Sequence, residues 1–240
     1  MQKLKYLLLI LIGLCYQNLN AQNLTELNWT GTLNNKIPIN LKYSISDGII
    51  IGQITYLNTK RKIPIKLIGT IDEDKSFRIL EFENNGNISG IITGKPSEKE
   101  FVGSWFSPKS RKSLSLQLTN LTKKPINNLP NVIIGSASYH YGYSEKGSLG
   151  DFEIKNLKNR YEFSITSVTD DPARNIADVD GTVTSITKNS FKYKLPGEQE
   201  AEFQVTFYSD FIIIKYTKGD FEGQFGHNAS IEGIYLKQKK

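Results

Sequence analysis

Residues 36–45 read Lys-Ile-Pro-Ile-Asn-Leu-Lys-Tyr-Ser-Ile, and this stretch decides the fold class of the chain. From Ile37 to Ile45 every second side chain is apolar, while the places between them hold proline or polar residues. A period of two is typical of a β-strand that buries one face and leaves the other in water. The first six residues return at 62–67 as Lys-Ile-Pro-Ile-Lys-Leu, so a second strand of the same kind is predicted there.

The same alternation continues along the rest of the chain. Turn-forming pairs such as Asp47-Gly48 and Asp180-Gly181 punctuate it at short intervals. Short loops make neighbouring strands antiparallel. The pattern predicts eight strands in each half of the chain, near 29–34, 37–45, 49–57, 62–70, 76–83, 88–94, 100–106 and 113–119, and then near 133–143, 149–156, 160–168, 178–187, 190–195, 201–208, 211–217 and 231–237.

We therefore expect an all-β protein made of two antiparallel meander modules, each a barrel or a strongly curved sheet, lipocalin-like in style. The modules occupy residues 22–121 and 132–240, and a segment rich in proline and asparagine at 122–131 reads as a linker between them. This linker is long enough for two separately cored modules. Beyond the N-terminal segment, the one helical candidate is a short turn near residues 172–177.

Glycines inside apolar strands form a second recurring pattern. Gly52, Gly90 and Gly103 each interrupt a run of apolar residues. A glycine within a strand marks a bulge or the close approach of a bulky neighbour. We expect Trp105 and Tyr56 to fill the space that such glycines leave.

The first twenty-one residues predict export. Lys3 and Lys5 precede an apolar run at 7–15, and Ala21 is a small residue at the expected cleavage point, which together indicate a signal peptide at 1–21. The apolar run is too short to span a bilayer. The mature chain is then periplasmic or extracellular, without a transmembrane segment. The alternative is a lipid anchor on Cys15.

Composition excludes several classes of chemistry. Cys15 is the only cysteine, so the mature chain has no disulfide, no thiol nucleophile and no cysteine-ligated metal. The pI is about 9.1, and net charge is +4 over residues 22–121 but −2 over residues 132–240. We expect no nucleic-acid partner, because the chain is exported and lacks a basic cluster with interleaved aromatic residues.

The richest candidate binding surface is an aromatic strand at 137–143. Alternation places Tyr139, Tyr141 and Tyr143 on one face and His140 on the other. The tyrosines could form a binding surface, or they could face the core and leave His140 in solvent. The other candidates are His227 and Asn228, which lie in a glycine-rich loop at 223–229.

The sequence contains little that resembles a metal-binding or catalytic motif. The two histidines lack any local spacing that suits a metal ion, so neither metal nor cofactor is expected. Four aspartates around one loop are interpreted as turn formers, and three alternating glutamates as the exposed face of a strand: Asp170, Asp171, Asp178 and Asp180, then Glu198, Glu200 and Glu202. There is no Gly-x-Ser-x-Gly elbow. An enzyme is not expected, although a glycosidase needs only two well-placed carboxylates.

The chain resembles uncharacterised exported β-meander proteins of Gram-negative bacteria. Their pattern combines a Gly-x-aromatic strand, an apolar-x-Leu-x-Gly strand, a Leu-x-Glu strand and a Gly-x-Trp strand, with a Gly-x-Phe-Gly and Gly-x-Tyr close. The matching segments here are 52–56, 65–69, 79–81, 103–105, 223–226 and 233–235. The resemblance implies a fold style and an envelope location. It carries no known activity, so it transfers no functional residue.

These observations lead to one functional expectation and two alternatives. We expect an exported, non-catalytic binding protein of the bacterial envelope that engages a macromolecule, in one version an inhibitor-like module whose acidic second half faces a basic enzyme. The first alternative is a lipocalin-like carrier of a small apolar ligand. The second is an enzyme that acts on polysaccharide.

Overall fold

The computed structural model describes residues 24–126, 132–197, 200–219 and 223–239. Within those ranges all regular structure is strand and turn, and every strand pairs antiparallel with its neighbours. A helix that could span a membrane is not found among these residues. The strands are β1 (Leu24–Leu33), β2 (Ile37–Ser46), β3 (Ile49–Tyr56), β4 (Ile65–Ile71), β5 (Phe77–Phe82), β6 (Ile88–Pro96), β7 (Phe101–Phe106), β8 (Ser113–Ile126), β9 (Ala137–Gly142), β10 (Leu149–Leu157), β11 (Arg160–Val168), β12 (Ile176–Val183), β13 (Ser190–Lys194), β14 (Glu202–Phe207), β15 (Phe211–Lys218) and β16 (Gly233–Lys237).

The first eight strands close into a barrel in chain order. β1 pairs with β2 on one side and with β8 on the other, so this barrel has no open edge. Its interior is filled by aromatic and aliphatic side chains. Phe101 packs edge-on against both Trp29 and Phe77, and the Trp29 indole donates a 3.3 Å hydrogen bond to the hydroxyl of Tyr43. The expected alternation of buried and exposed positions thus places a packed core inside the barrel.

The second eight strands form a nearly closed barrel. Their order is β12-β11-β10-β9-β16-β15-β14-β13, which leaves a seam between β12 and β13. The hydroxyl of Tyr193 spans this seam and donates to the backbone oxygen of Asp180 at 3.4 Å. The core of this barrel includes five phenylalanines whose rings contact one another: Phe152, Phe163, Phe191, Phe203 and Phe207.

The all-β prediction with two meander modules is confirmed, and so is the expectation of eight strands in each half. The segment between the halves differs from expectation. β8 continues to Ile126 because β1 begins at Leu24 and pairs with it throughout, so residues 122–126 of the expected linker are strand. Most side chains there face solvent, which removes the apolar alternation that marks a strand. Residues 127–131 and the expected signal peptide at 1–21 lie outside the described residues.

Two smaller expectations also need correction. The segment near 172–177 is a turn followed by the start of β12, not a helix. Asp180 and Gly181 lie inside β12 and do not form a turn. Gly181 is required there by packing, because a Cβ atom at this position would lie 2.4 Å from the ring of Phe163.

The two barrels are docked through an apolar interface. Outward-facing side chains of the first barrel join the core cluster of the second: Ile49, Ile68, Leu80, Phe82 and Ile88. Lys66 forms an ion pair with Asp210 across this interface, and Asn87 makes a single parallel bridge with Gly142. The first barrel therefore has its own interior core, whereas the core of the second barrel continues onto the outer wall of the first.

Candidate functional site

A cleft of about 1170 Å³ lies between the first barrel and the loops of the second. One wall is the mouth of the first barrel, the end at which the loops 34–36, 57–64, 83–87 and 107–112 lie. The polar and aromatic residues that line this wall are Tyr56, Glu81, Glu83, Ser89, Trp105, Lys109 and Arg111. The second barrel contributes His140, Tyr143, Glu145, Lys146, Asp170 and Asp171.

The centre of the first wall is a buried carboxylate. Glu81 lies on β5 and is 2% exposed. Its Oε2 accepts hydrogen bonds from the hydroxyl of Tyr56 at 2.9 Å and from the indole Nε1 of Trp105 at 3.2 Å. Its Oε1 accepts a bond from the hydroxyl of Ser89 at 2.7 Å. Three donors from three different strands therefore fix the position of one acidic group just inside the barrel mouth.

A β-bulge and a glycine build this arrangement. The β5–β6 register shifts between Glu81 and Phe82, which leaves Ser89 as the extra residue and turns its hydroxyl toward the carboxylate. Gly90 lies opposite Glu81, and a Cβ atom there would lie 2.2 Å from Nε1 of Trp105. The prediction that Trp105 fills the space left by a strand glycine is confirmed at Gly90.

The other two strand glycines serve a different purpose. A Cβ atom at Gly52 would lie 2.0 Å from the backbone oxygen of Lys42, and one at Gly103 would lie 2.1 Å from that of Thr93. These glycines allow close approach of neighbouring backbones, as expected for a strongly bent barrel wall. The atoms nearest to them do not belong to Tyr56, so the expectation that Tyr56 fills such a space is wrong there.

Burial and charge keep Tyr56 in its protonated form. Burial raises the pKa of the Tyr56 phenol well above its ordinary value, and the nearby charge of Glu81 and the hydrogen bond to it raise the pKa further. The phenol therefore remains a hydrogen-bond donor at neutral pH. An ionised carboxylate has about four acceptor sites, of which the three donors occupy three, so room remains for roughly one more donor.

The opposite wall is held by contacts between two loops of the second barrel. The backbone N–H of Asp171 donates to the oxygen of Lys146 at 2.8 Å, and the guanidinium of Arg174 donates to the oxygen of Gly147 at 3.1 Å. These bonds tie loop 169–175 to loop 143–148. The wall that faces Glu81 is therefore cross-braced, although loops form much of it and β9 contributes His140.

The structure divides the tyrosine stripe predicted at 137–143. Tyr139 and Tyr141 are buried in the core of the second barrel, and burial raises the pKa of Tyr139 to about 12. His140 points to the opposite face, as expected, where its Nδ1 lies 2.8 Å from Oδ1 of Asp151. His140 and Tyr143 both line the cleft.

A second, smaller pocket is lined by two of the other predicted residues, Tyr141 and Asn228. It has a volume of about 200 Å³ and is lined in part by Tyr141, Tyr143 and Asn228. His227 does not line this pocket, and its backbone oxygen accepts a 2.7 Å hydrogen bond from the side chain of Asn175. The six predicted binding residues therefore do not form one site, and only Tyr143 lines both pockets.

The acidic candidates are also spread over several places. Asp170 and Asp171 border the cleft, whereas Asp178 accepts a hydrogen bond from Thr166 on the exposed face of β12. Glu202 accepts hydrogen bonds from Thr217 and Lys192, which lower its pKa, Glu200 pairs with Lys218, and Glu198 lies outside the described residues. In the part of the chain that the structure describes, no three metal-ligating side chains of the His, Cys, Asp or Glu type come together.

Glu81, the central residue of the cleft, is not among the residues predicted from the sequence, although the sequence carries a signal for it. In β5 the interior positions are Phe77, Ile79 and then Glu81, so an acidic residue occupies a place in the apolar phase of the strand. A buried acid needs hydrogen-bond donors, because leaving its charge unpaired is costly. That mismatch between residue type and position points to Glu81.

Comparison of the chain with protein-family models, with curated proteins and with solved structures finds no match. The resemblance to exported β-meander proteins therefore stays a prediction. A fold by itself does not specify a function, so the chemistry of the cleft is the guide to what this protein binds.

Proposed function

We propose that this protein is an exported, non-catalytic binding protein and that the cleft between its barrels holds a segment of a polysaccharide. The observation that carries the proposal is the pairing of two partly exposed aromatic side chains, Trp105 and Tyr56, with the carboxylate of Glu81 beneath them. Binding sites combine apolar and aromatic surface with a few fixed polar groups, and this wall of the cleft has that composition.

A sugar chain suits both features of this wall. The C–H faces of a pyranose ring pack on aromatic rings, while its hydroxyl groups need hydrogen-bond partners at fixed positions. The rings of Tyr56 and Trp105 supply the apolar surface, since the phenol O–H and the indole N–H already donate to Glu81. His140 and Tyr143 offer further polar contacts on the opposite wall.

The alternatives draw less support from the geometry. A carrier of an apolar ligand needs space inside a barrel, whereas the interior of the first barrel is occupied by packed rings such as Phe77 and Phe101. A peptide that binds by strand addition needs an open sheet edge; the first barrel has none, and the second offers one only at the seam between β12 and β13, whose residues do not line the cleft. At the cleft, the inhibitor-like version of the proposal would therefore have to use loops and side chains in place of an open strand edge.

A polysaccharide-acting enzyme is the second candidate. Glycoside hydrolysis requires two carboxyl groups on opposite sides of the scissile bond. Glu81 lies on one wall of the cleft, and Asp170 and Asp171 lie on the other. If this candidate is correct, incubation with the bound polysaccharide releases shorter fragments, and Glu81→Gln abolishes their release.

Affinity electrophoresis tests the proposal. Native gels are cast with one polysaccharide each, and binding retards the protein. We expect at least one polysaccharide to retard the wild type, and Trp105→Ala to weaken that binding about tenfold or more. Val102→Ala is the matched control, because Val102 lies on the same strand but on the exposed outer face. Equal retardation of the two variants would overturn the proposal, and Trp105→Phe repeats the test if Trp105→Ala does not fold.

A further inference from the structure

The loops around the mouth of the first barrel carry a concentrated positive charge. They contain seven basic residues and one acidic residue, Glu83. All seven basic side chains are exposed. We call this set the basic rim; it consists of Lys36, Lys60, Arg61, Lys62, Lys109, Arg111 and Lys112.

The charge of the basic rim is not neutralised by the rest of the protein. None of its side chains forms an ion pair with another residue of the described ranges. The three loops at the opposite end of the barrel, 47–48, 72–76 and 97–100, carry six acidic and two basic residues. The first barrel is therefore polarised along its axis, and like charges that face solvent together create a potential that attracts a partner of opposite sign.

The basic rim is continuous with the cleft. Lys109 and Arg111 belong to both, since they also line the cleft beside Trp105. Loop 57–64, which carries three of the seven basic residues, begins directly after Tyr56. A chain that lies in the cleft and leaves it on this side therefore passes over the basic rim.

We propose that the ligand is an anionic polysaccharide, whose acidic groups bind the basic rim while its sugar rings lie against Trp105 and Tyr56. This inference rests on the proposed function and specifies its ligand class. Arginine and lysine side chains bind carboxylate, sulfate and phosphate groups alike, so the shared chemistry is a repeated anion on a sugar chain.

The second barrel determines which way the acidic groups of that chain face. Its wall of the cleft carries three acidic residues and one lysine: Glu145, Asp170, Asp171 and Lys146. Oδ1 of Asp171 also lies 3.8 Å from Nε of Arg174. This excess of negative charge repels acidic groups. The anions of the ligand therefore turn toward the basic rim and away from the second barrel.

Isothermal titration with three probes tests the inference. The probes are polygalacturonate, which carries carboxylates, dextran sulfate, which carries sulfates, and neutral dextran. The variant Lys60→Gln/Arg61→Gln/Lys62→Gln removes three charges of the basic rim, and Lys75→Gln/Lys99→Gln is the control at the opposite end. We expect at least one anionic probe to bind more tightly than dextran and its binding to weaken as salt rises. The triple variant should lose about tenfold in affinity for this probe, whereas the Lys75→Gln/Lys99→Gln control should not.

The outcomes separate the inference from the proposed function. If dextran binds as tightly as the anionic probes and only Trp105→Ala weakens it, the ligand is a neutral polysaccharide and the inference fails while the proposed function holds. The inference is overturned if neither the triple variant nor Trp105→Ala weakens binding, or if no probe binds. Equally tight binding of duplex DNA, unaffected by Trp105→Ala, also overturns it, because the basic rim then attracts any polyanion.

Discussion

The indole Nε1 of Trp105 on β7 lies 3.2 Å from Oε2 of Glu81 on β5, and the bond passes over Gly90 on the strand between them. The contact is possible only because the middle strand has no side chain at that point. It connects the largest aromatic surface of the cleft with its most buried charge. Three strands thus determine one feature of the candidate site.

Gly90→Ala is expected to break this contact. The added methyl group would displace the indole, and overpacking of this kind costs about 1–3 kcal/mol in the free energy of unfolding. Urea unfolding followed by tryptophan emission measures the loss. Gly135→Ala is the control, because no atom lies within 4 Å of a Cβ placed there. Equal stability of the two variants would show that the indole is not held against Gly90.

Tyr56→Phe is expected to destabilise the protein by about 1–3 kcal/mol, because it removes one donor from a buried carboxylate. Chemical denaturation at neutral pH measures this effect. Tyr161→Phe on β11 removes the hydroxyl of a partly exposed tyrosine and should change stability by less than about 0.5 kcal/mol. Similar losses in both variants would mean that Glu81 does not depend on Tyr56.

Alkaline pH is expected to destabilise the fold through Tyr139. The phenol ionises near pH 10 in the unfolded chain, whereas burial raises its pKa to about 12 in the folded protein. The unfolded state therefore loses the proton first as the pH rises. The free energy of unfolding keeps its full contribution from Tyr139 below about pH 10 and decreases between about pH 10 and pH 12, by at most about 1.4 kcal/mol per pH unit. In urea unfolding at stepped pH, Tyr139→Phe should show a shallower decline, and an unchanged decline contradicts the assignment.

Ile68→Asp is expected to separate the two barrels. Ile68 is fully buried in the interface, and an unpaired charge there costs about 2–5 kcal/mol. Both tryptophans belong to the first barrel, so tryptophan emission reports that barrel while circular dichroism reports both. The two signals should give separate unfolding transitions in this variant and coincident ones in the wild type.

Val102→Asp is the matched control for the interface. Val102 is 49% exposed on the outer face of β7, so the substitution should cost less than about 1 kcal/mol and keep the two signals coincident. A separation of transitions in Val102→Asp, or none in Ile68→Asp, contradicts an interface that couples the barrels.

The sequence predicts the strands because alternation is a local property. Ile39, Leu41 and Tyr43 face the interior of the first barrel as their period of two indicates. Alternation does not predict the extension of β8 to Ile126, because the side chains there are largely exposed. Its partner strand begins at Leu24, about a hundred residues earlier in the chain.

The candidate site depends on relationships that no local pattern contains. The contact of Glu81 with Ser89 requires a register shift, and its contact with Trp105 requires two neighbouring strand pairs in register. The basic rim comes together only because barrel closure brings distant loops to one end. The aromatic strand at 137–143, which is conspicuous in the sequence, mainly supplies core residues.

Tryptophan emission during titration with a polysaccharide tests the central claim most directly. The chain has two tryptophans, of which Trp29 is buried in the barrel core and Trp105 lines the cleft. With the polysaccharide that retards the protein most in affinity gels, we expect a saturable change in emission that disappears in Trp105→Phe, together with weaker binding. Binding of equal strength in Trp105→Phe, with no change in wild-type emission, would place the ligand outside the cleft and contradict the account.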